Sequence, residues 1–247
     1  RAVLRAQGSE HDGAARSRAG SAAGLFLAAK GGHNAESHNH NDIGQFVVFA
    51  EGRPVLVDAG VETYSRKTFG PDRYSIWTMQ SSWHNLPEVN GVMQRNGREF
   101  AARDLSYAAD DARVEFGLDI AGAYPPEAGL LSWRRRFLFR RDAGIEIEDR
   151  YRLAAPPQRV LLFLMTPCAV ELAPGTIALS ERPLGEGLPS GRATLRYDAA
   201  RLAASCEEVP LADPQLQGIW GDRLFRIRLE ARRPAQEDAF TLVIEGA

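Results

Sequence analysis

An all-β fold, with antiparallel sheets packed as a large β-sandwich, is predicted for this chain by three features of its sequence. Short apolar-rich runs recur from Leu25 onward, separated by Gly, Pro and Asp signals. Several of these runs alternate apolar and polar residues with period two, and neither an internal repeat nor an amphipathic helical array interrupts them. At 247 residues and 44 % apolar composition the chain can bury a substantial core, and sandwiches of this size commonly form one domain.

Residues 1–24, which include "RAQGSEHDGAARSRAGSAAG", have no helical or strand period and read as a polar, flexible lead-in; 25–247 reads as one domain. The start at Arg1, with no initiator methionine, points to a piece of a longer protein with any targeting segment upstream. "QFVVFAEGRPVLVDAG" reads as a hairpin, with strands at 46–50 and 55–57 around a turn at Glu51-Gly52-Arg53. Further strands are expected at 112–118, 130–139, 144–152, 160–166, 176–179, 193–197, 224–230 and 239–245. Within "WRRRFLFRRDAGIEIEDRYRL", Trp133, Arg135, Phe137 and Phe139 alternate with Arg134, Arg136, Leu138 and Arg140. A turn at Asp142-Ala143-Gly144 then leads into Ile145, Ile147 and Asp149, giving a half-buried hairpin whose arginine face is either solvated or a groove wall. "RKTFGPDRYSIWTMQSSWHNL" has no clean two-residue period, and Gly70-Pro71 forbids one continuous helix through it. It reads as a long functional loop with one helical turn near 75–79.

A formal charge of −2 supplies no global basic field for nucleic acid or an anionic membrane, so any polyanion binding is local. No apolar run is long enough to span a membrane. The basic residues are almost all arginine, Lys30 and Lys67 being the exceptions, as coding bias or a use for planar carboxylate recognition would give. Cys168 and Cys206 are too few for a disulfide framework and read as buried apolar residues.

Chemistry concentrates in "GGHNAESHNHND", the densest polar cluster in the chain, which begins at Gly31. In an extended strand His38 and His40 share a face, so their imidazoles can converge on one site. Asp58 ends the second strand of the hairpin, and His84 in "SSWHNL" can close a three-ligand set with a fourth position open. Two imidazoles and a carboxylate favour zinc, with nickel, cobalt and iron compatible by ligand type. The plain alternative is a polar loop whose histidines only satisfy hydrogen bonds. His33 and His11 have no such support and read as surface residues, and Asp42 reads as a turn residue.

The run "ESHNHNDIGQFVVFAEGRPVLVDAGVETY", followed by "RYSIWTMQSSWHNLPEVNG", resembles the signature of the heparinase II/III-like C-terminal domain over about 31–103. That resemblance implies a sandwich that follows an α/α-toroid in the same polypeptide, a zinc ion on His40, Asp58 and His84, and β-elimination at the uronic acids of an acidic polysaccharide. It further implies that His38 faces the catalytic cleft and that a tyrosine acts on the sugar, Tyr74 first and Tyr64 second. Asn39, Asn41 and Asn85 are expected to bind the substrate carboxylate or to orient the ligating imidazoles. The toroid is missing from this chain, so this piece alone is expected to be inactive, and a periplasmic or secreted setting is expected with the cytoplasm as the alternative. The polymer stays open among heparan sulfate, chondroitin and other glycosaminoglycans, alginate and further uronate glycans. Two rival readings are a non-catalytic carbohydrate-binding scaffold and a cupin-type metal enzyme. Cupins usually carry a glutamate three or four residues after the HxH, where this chain has Gly44 and Gln45.

Overall fold

The structure is a computed structural model that describes residues 2–4 and 24–246, apart from 141, 142, 186 and 188. His11, most of the lead-in and part of the turn at 142–144 lie outside the described residues. The chain begins with β1 (Ala2–Leu4), β2 (Leu25–Ala29), β3 (His33–Asn34), β4 (Phe46–Ala50) and β5 (Arg53–Leu56). Next come β6 (Pro87–Val89), β7 (Gly97–Ala101), β8 (Arg103–Ala109), β9 (Arg113–Asp119), β10 (Leu130–Arg140) and β11 (Gly144–Leu153). The last third holds β12 (Val160–Thr166), β13 (Ala169–Ala173), β14 (Thr176–Ser180), β15 (Ala193–Arg196), β16 (Leu202–Pro210), one helix α1 (Pro214–Trp220), β17 (Arg223–Ala231) and β18 (Glu237–Gly246).

Apart from β3 and β7, which pair with each other, these strands build two layers. One layer is an eight-stranded antiparallel sheet in the order β13-β14-β15-β18-β11-β10-β9-β8. The other is made of two four-stranded sheets, β1-β2-β4-β5 and β16-β17-β12-β6. They join where β5 meets β12: Val57 N donates to Met165 O at 2.9 Å and Thr166 Oγ1 to Val55 O at 2.6 Å. The core lies between the layers, with Leu27, Phe46 and Val48 from one sheet, Leu162, Leu164 and Ile227 from the second, and Phe137, Ile147 and Leu242 from the large one. The expected sandwich is therefore present.

The period-two reading of the arginine-rich hairpin holds at most positions of β10. Trp133, Arg135, Phe137 and Phe139 are buried while Arg134 and Arg140 are exposed, in register with β11 from Trp133 opposite Tyr151 to Arg140 opposite Gly144. Leu138 departs from it, being buried on the other face. In the β4–β5 hairpin Glu51 and Gly52 both take positive φ, the geometry that two-residue turns between twisted strands require. Strands that the sequence left unmarked include β2, β6, β7, β8, β13 and β16. β8 is exposed along its whole length at the edge of the large sheet, with Leu105 and Tyr107 in solvent. The long loop forms four separate 3-10 turns, Arg66–Phe69, Arg73–Ser75, Trp77–Met79 and Ser81–Trp83, rather than a single turn near 75–79. Helix α1, also unmarked, starts on Asp213, whose carboxylate accepts from the backbone of Gln215 and Leu216, with Pro214 at the first helical position. No helix among the described residues is long and apolar enough to cross a membrane.

Candidate functional site

Two loops carry the polar cluster, and both are tied at their bases. Residues 31–44 leave the sheet at the end of β2 and return at β4. Lys30 N donates to Gln45 O at 2.8 Å and Gly44 N to Lys30 O at 2.9 Å, which closes the excursion. Gly44 is required there: its φ is +90°, and a Cβ would lie 2.8 Å from Ile120 Cγ2. Inside the loop, Gln94 Oε1 accepts from Asn34 Nδ2 and Ile43 N, while its Nε2 donates to Ile43 O. The second loop follows β5 through the 3-10 turns to His84, and Asn41 N donates to Met79 O at 3.0 Å to join the two.

Behind both loops sits the buried Arg135. Its guanidinium grips Asp149 with two hydrogen bonds of 2.8 and 2.7 Å and donates to Gly44 O and Asn85 O at 2.9 and 2.7 Å. One side chain thus fixes the root of each loop. Asn85 is itself fully buried, with its amide donating to Phe46 O and accepting from Met165 N. It belongs to the frame behind the site, and substrate binding is withdrawn from its expected roles.

His40, Asp58 and His84 come together as the sequence leads one to expect. His84 Nδ1 lies 3.4 Å from Asp58 Oδ2, His40 Nδ1 lies 3.9 Å from Asp58 Oδ1, and the imidazole centroids are 5.4 Å apart. Asp42, expected to be only a turn residue, joins them: one ligand atom from each of the four side chains falls within 4.8 Å of the others. Its carboxylate is also paired with the Lys30 ammonium. His84 is completely buried, and neither of its ring nitrogens has a hydrogen-bond partner. Burying an imidazole so is costly unless something supplies the missing contact. Burial holds the His40 pKa below its ordinary value, with His84 and Lys30 pushing the same way against Asp58 and Asp42, so the ring is kept neutral as a metal ligand must be. Two imidazoles with one or two carboxylates form a donor set that suits zinc.

The expectation that His38 and His40 share one face of a strand is not met. His38 sits in a turn with φ +57°, outside any strand, and the kink sends it to the surface while His40 goes inward. The His38 ring lies parallel to that of Tyr64 at 6.2 Å, with Tyr64 Oη 3.5 Å from His38 Nδ1. Tyr74 is half-buried on the neighbouring loop, and its hydroxyl accepts from Asn39 Nδ2 at 3.5 Å. The same Asn39 amide reaches Asn41 Oδ1 at 3.4 Å, and Asn39 Oδ1 is buried without a partner. A cavity of about 440 Å³ opens beside the cluster, and its walls include Lys30, His38, His40, Asp42 and Asp58. His33 stays outside the cluster, 3.6 Å from Glu36. Lys30 and Asp42 are the residues that sequence reasoning passed over. Their signal was available in part, since Asp42 directly follows the HNHN run.

Comparison with known proteins follows the same lines. The family described as "Heparinase II/III-like, C-terminal" matches residues 8–209. Heparan sulfate lyase HepC from Pedobacter heparinus superposes with a TM-score of 0.66 at 16 % identity, over 90 % of this chain and 33 % of that one. A structure of heparinase III does so with a TM-score of 0.61 at 15 % identity, over 92 % of this chain and 37 % of the other. The chain therefore spans about a third of these proteins, and at such identity the likeness is one of fold. Among curated proteins, glutamate–tRNA ligases of Rhizobium etli are 29 % and 30 % identical over 124 residues, which is 49 % of this chain and 25 % of each ligase.

Proposed function

This chain belongs to the heparinase II/III-like C-terminal family, and on that premise we propose that it is the zinc-holding β-sandwich domain of a lyase that cleaves uronic-acid-containing glycans by β-elimination. The observation that carries the reading is His84, buried with both ring nitrogens unpartnered and turned toward Asp58 and His40. His40, Asp58 and His84 would hold the metal. Bound zinc would supply a fixed cation that ties the loop of His40 to the loop of Tyr74 and His84.

The remaining groups divide the elimination among them. A base takes the C5 proton, the electron pair forms the C4–C5 double bond, the C4–O4 bond breaks, and an acid returns a proton to O4. Tyr74 is the first choice for the group acting on the sugar, because Asn39 donates to its hydroxyl oxygen and leaves the phenolic proton free. Tyr64 is the second, held within reach of His38. His38 lines the cavity, and Asn39 and Asn41 would meet the substrate carboxylate or orient the ligating imidazoles, with Asn39 also holding Tyr74. The other catalytic groups would come from an α/α-toroid in the same polypeptide, and the enzyme would act in the periplasm or outside the cell. A non-catalytic sugar-binding module is the second reading, favoured by the exposed aromatic pair Tyr64 and Phe69 at the rim. The likeness to tRNA ligases covers only 25 % of each ligase and carries no third reading.

The test uses the complete polypeptide. Zinc content should be about one per molecule and should vanish in His40→Ala, Asp58→Ala and His84→Ala. Unsaturated uronate product should form, and Tyr74→Phe should retain zinc while losing on the order of 10²–10⁴ in turnover. Full activity in Tyr74→Phe moves the role to Tyr64. Sugar binding with no product from the unaltered protein selects the binding module.

A further inference from the structure

The cluster holds one more ligand than an open zinc site needs. Asp42 is 5 % exposed, and its ligand atom lies within 4.8 Å of those of His40, Asp58 and His84. Four protein ligands would close a tetrahedral site, as structural zinc sites are closed; three leave a position for an outside group. What differs between the two carboxylates is Lys30. Asp58 accepts from the backbone Gly60 N, whereas the Asp42 carboxylate is paired with an ammonium.

Lys30 is built to stay there. It directly follows β2 at the base of the loop, with its N–H on Gln45 O and its carbonyl on Gly44 N, and its side chain is mostly buried along the wall of the same cavity. It is also one of only two lysines in a chain that otherwise uses arginine. An ammonium is a compact point charge, while a guanidinium at this position would bring five donors to a site that must admit a cation.

We propose that Lys30 withholds Asp42 from the metal, so that zinc takes three protein ligands and keeps its fourth position open toward the cavity for a carboxylate oxygen or water. The inference rests on the zinc reading above and goes beyond it, because it makes the centre a ligand-binding site rather than a closed brace. A metal and an ammonium compete for one carboxylate, and neutralising Asp42 lowers the negative charge of the donor set from two to one.

Zinc affinity, read by competition with a chromophoric chelator, and the visible spectrum of the cobalt(II)-loaded protein test this without any activity assay. In the unaltered protein, added azide should perturb the cobalt spectrum. Lys30→Met should bind zinc tighter by about tenfold or more, the scale on which groups that contact ligands alter metal affinity, and its cobalt spectrum should ignore azide. Adding Asp42→Asn to Lys30→Met should restore both the original affinity and the azide response. Should Lys30→Met not fold, Asp42→Asn alone decides, since it should keep zinc with affinity changed by only a few-fold. Equal zinc affinity with and without Lys30, a double variant as tight as the single one, or loss of zinc in Asp42→Asn overturns this inference and leaves the zinc reading standing. Absence of zinc from both the unaltered protein and Lys30→Met overturns the two together.

Discussion

Two buried polar clusters meet at Asn85, and they are finished to different degrees. Around Arg135 every strong donor is matched: both carboxylate oxygens of Asp149 are used, Trp133 Nε1 adds a third bond to Asp149 at 3.0 Å, and the rest of the guanidinium holds two loop carbonyls. A few residues away His84, equally buried, has no partner on either nitrogen. The first cluster is complete within the protein and acts as a frame. The second is incomplete by at least one contact, which is what a site for an external cation looks like before the cation is counted. Proximity in the fold thus says little about role, and the balance of donors and acceptors says a great deal.

The largest expected effect breaks the complete cluster. Asp149→Ala leaves Arg135 buried without its counter-charge and should cost about 3–5 kcal/mol in urea unfolding. His84→Leu in chelator-treated protein should by contrast be neutral or stabilising in the same measurement, because it removes an unsatisfied group and keeps an apolar volume. A loss as large as that of Asp149→Ala would show that His84 is satisfied without metal and erase the difference between the clusters. Next in size is linkage to the metal. Zinc at a hundred times its dissociation constant should stabilise the unaltered protein by about 2.7 kcal/mol and His84→Leu not at all, read as thermal midpoints with and without metal.

The smallest effect concerns Glu88, on β6 beyond the site. Burial raises its pKa above the ordinary 4.5, outweighing Arg159, Arg226 and Arg228, which lower it. The folded state therefore holds this proton more tightly than the unfolded state does. Its contribution is fully present below pH 4.5 and is lost as pH rises through the raised value. Glu88→Gln should flatten that part of the stability profile, and an unchanged slope would show that the three arginines dominate.

The sequence was most legible where one face of a strand is buried and the other wet. β10, read from alternation, shows this; β12, buried at every residue, was read instead from a continuous apolar run. β8 was not legible, because all seven of its residues are exposed and no alternation can arise. The ligand residues were found by polar density and by resemblance, since the loops that carry them have no period. For the same reason the geometry inferred for the HxH failed: His38 takes a left-handed turn that period two does not encode. Asp42 is the turn residue the sequence predicts, its carbonyl accepting from Gln45 N at 3.0 Å, yet its carboxylate also joins the ligand cluster, while Asn85 was expected at substrate and lies in the frame. Only their partners, Lys30 for the first and the backbone of Phe46 and Met165 for the second, distinguish them.

The order of strands in the large sheet has a consequence for synthesis. β18 lies in its middle, paired on one side with β11 and on the other with β15. While the ribosome is still making the chain, the β8–β11 meander and the β13–β15 meander can each form, but neither can be joined to the other until residues 237–246 have emerged. Final closure of the sheet therefore waits on contacts of long sequence separation, the slow kind. Until then the flank of β11 stands open, and a nascent chain stalled short of residue 237 would be a target for chaperones and proteases.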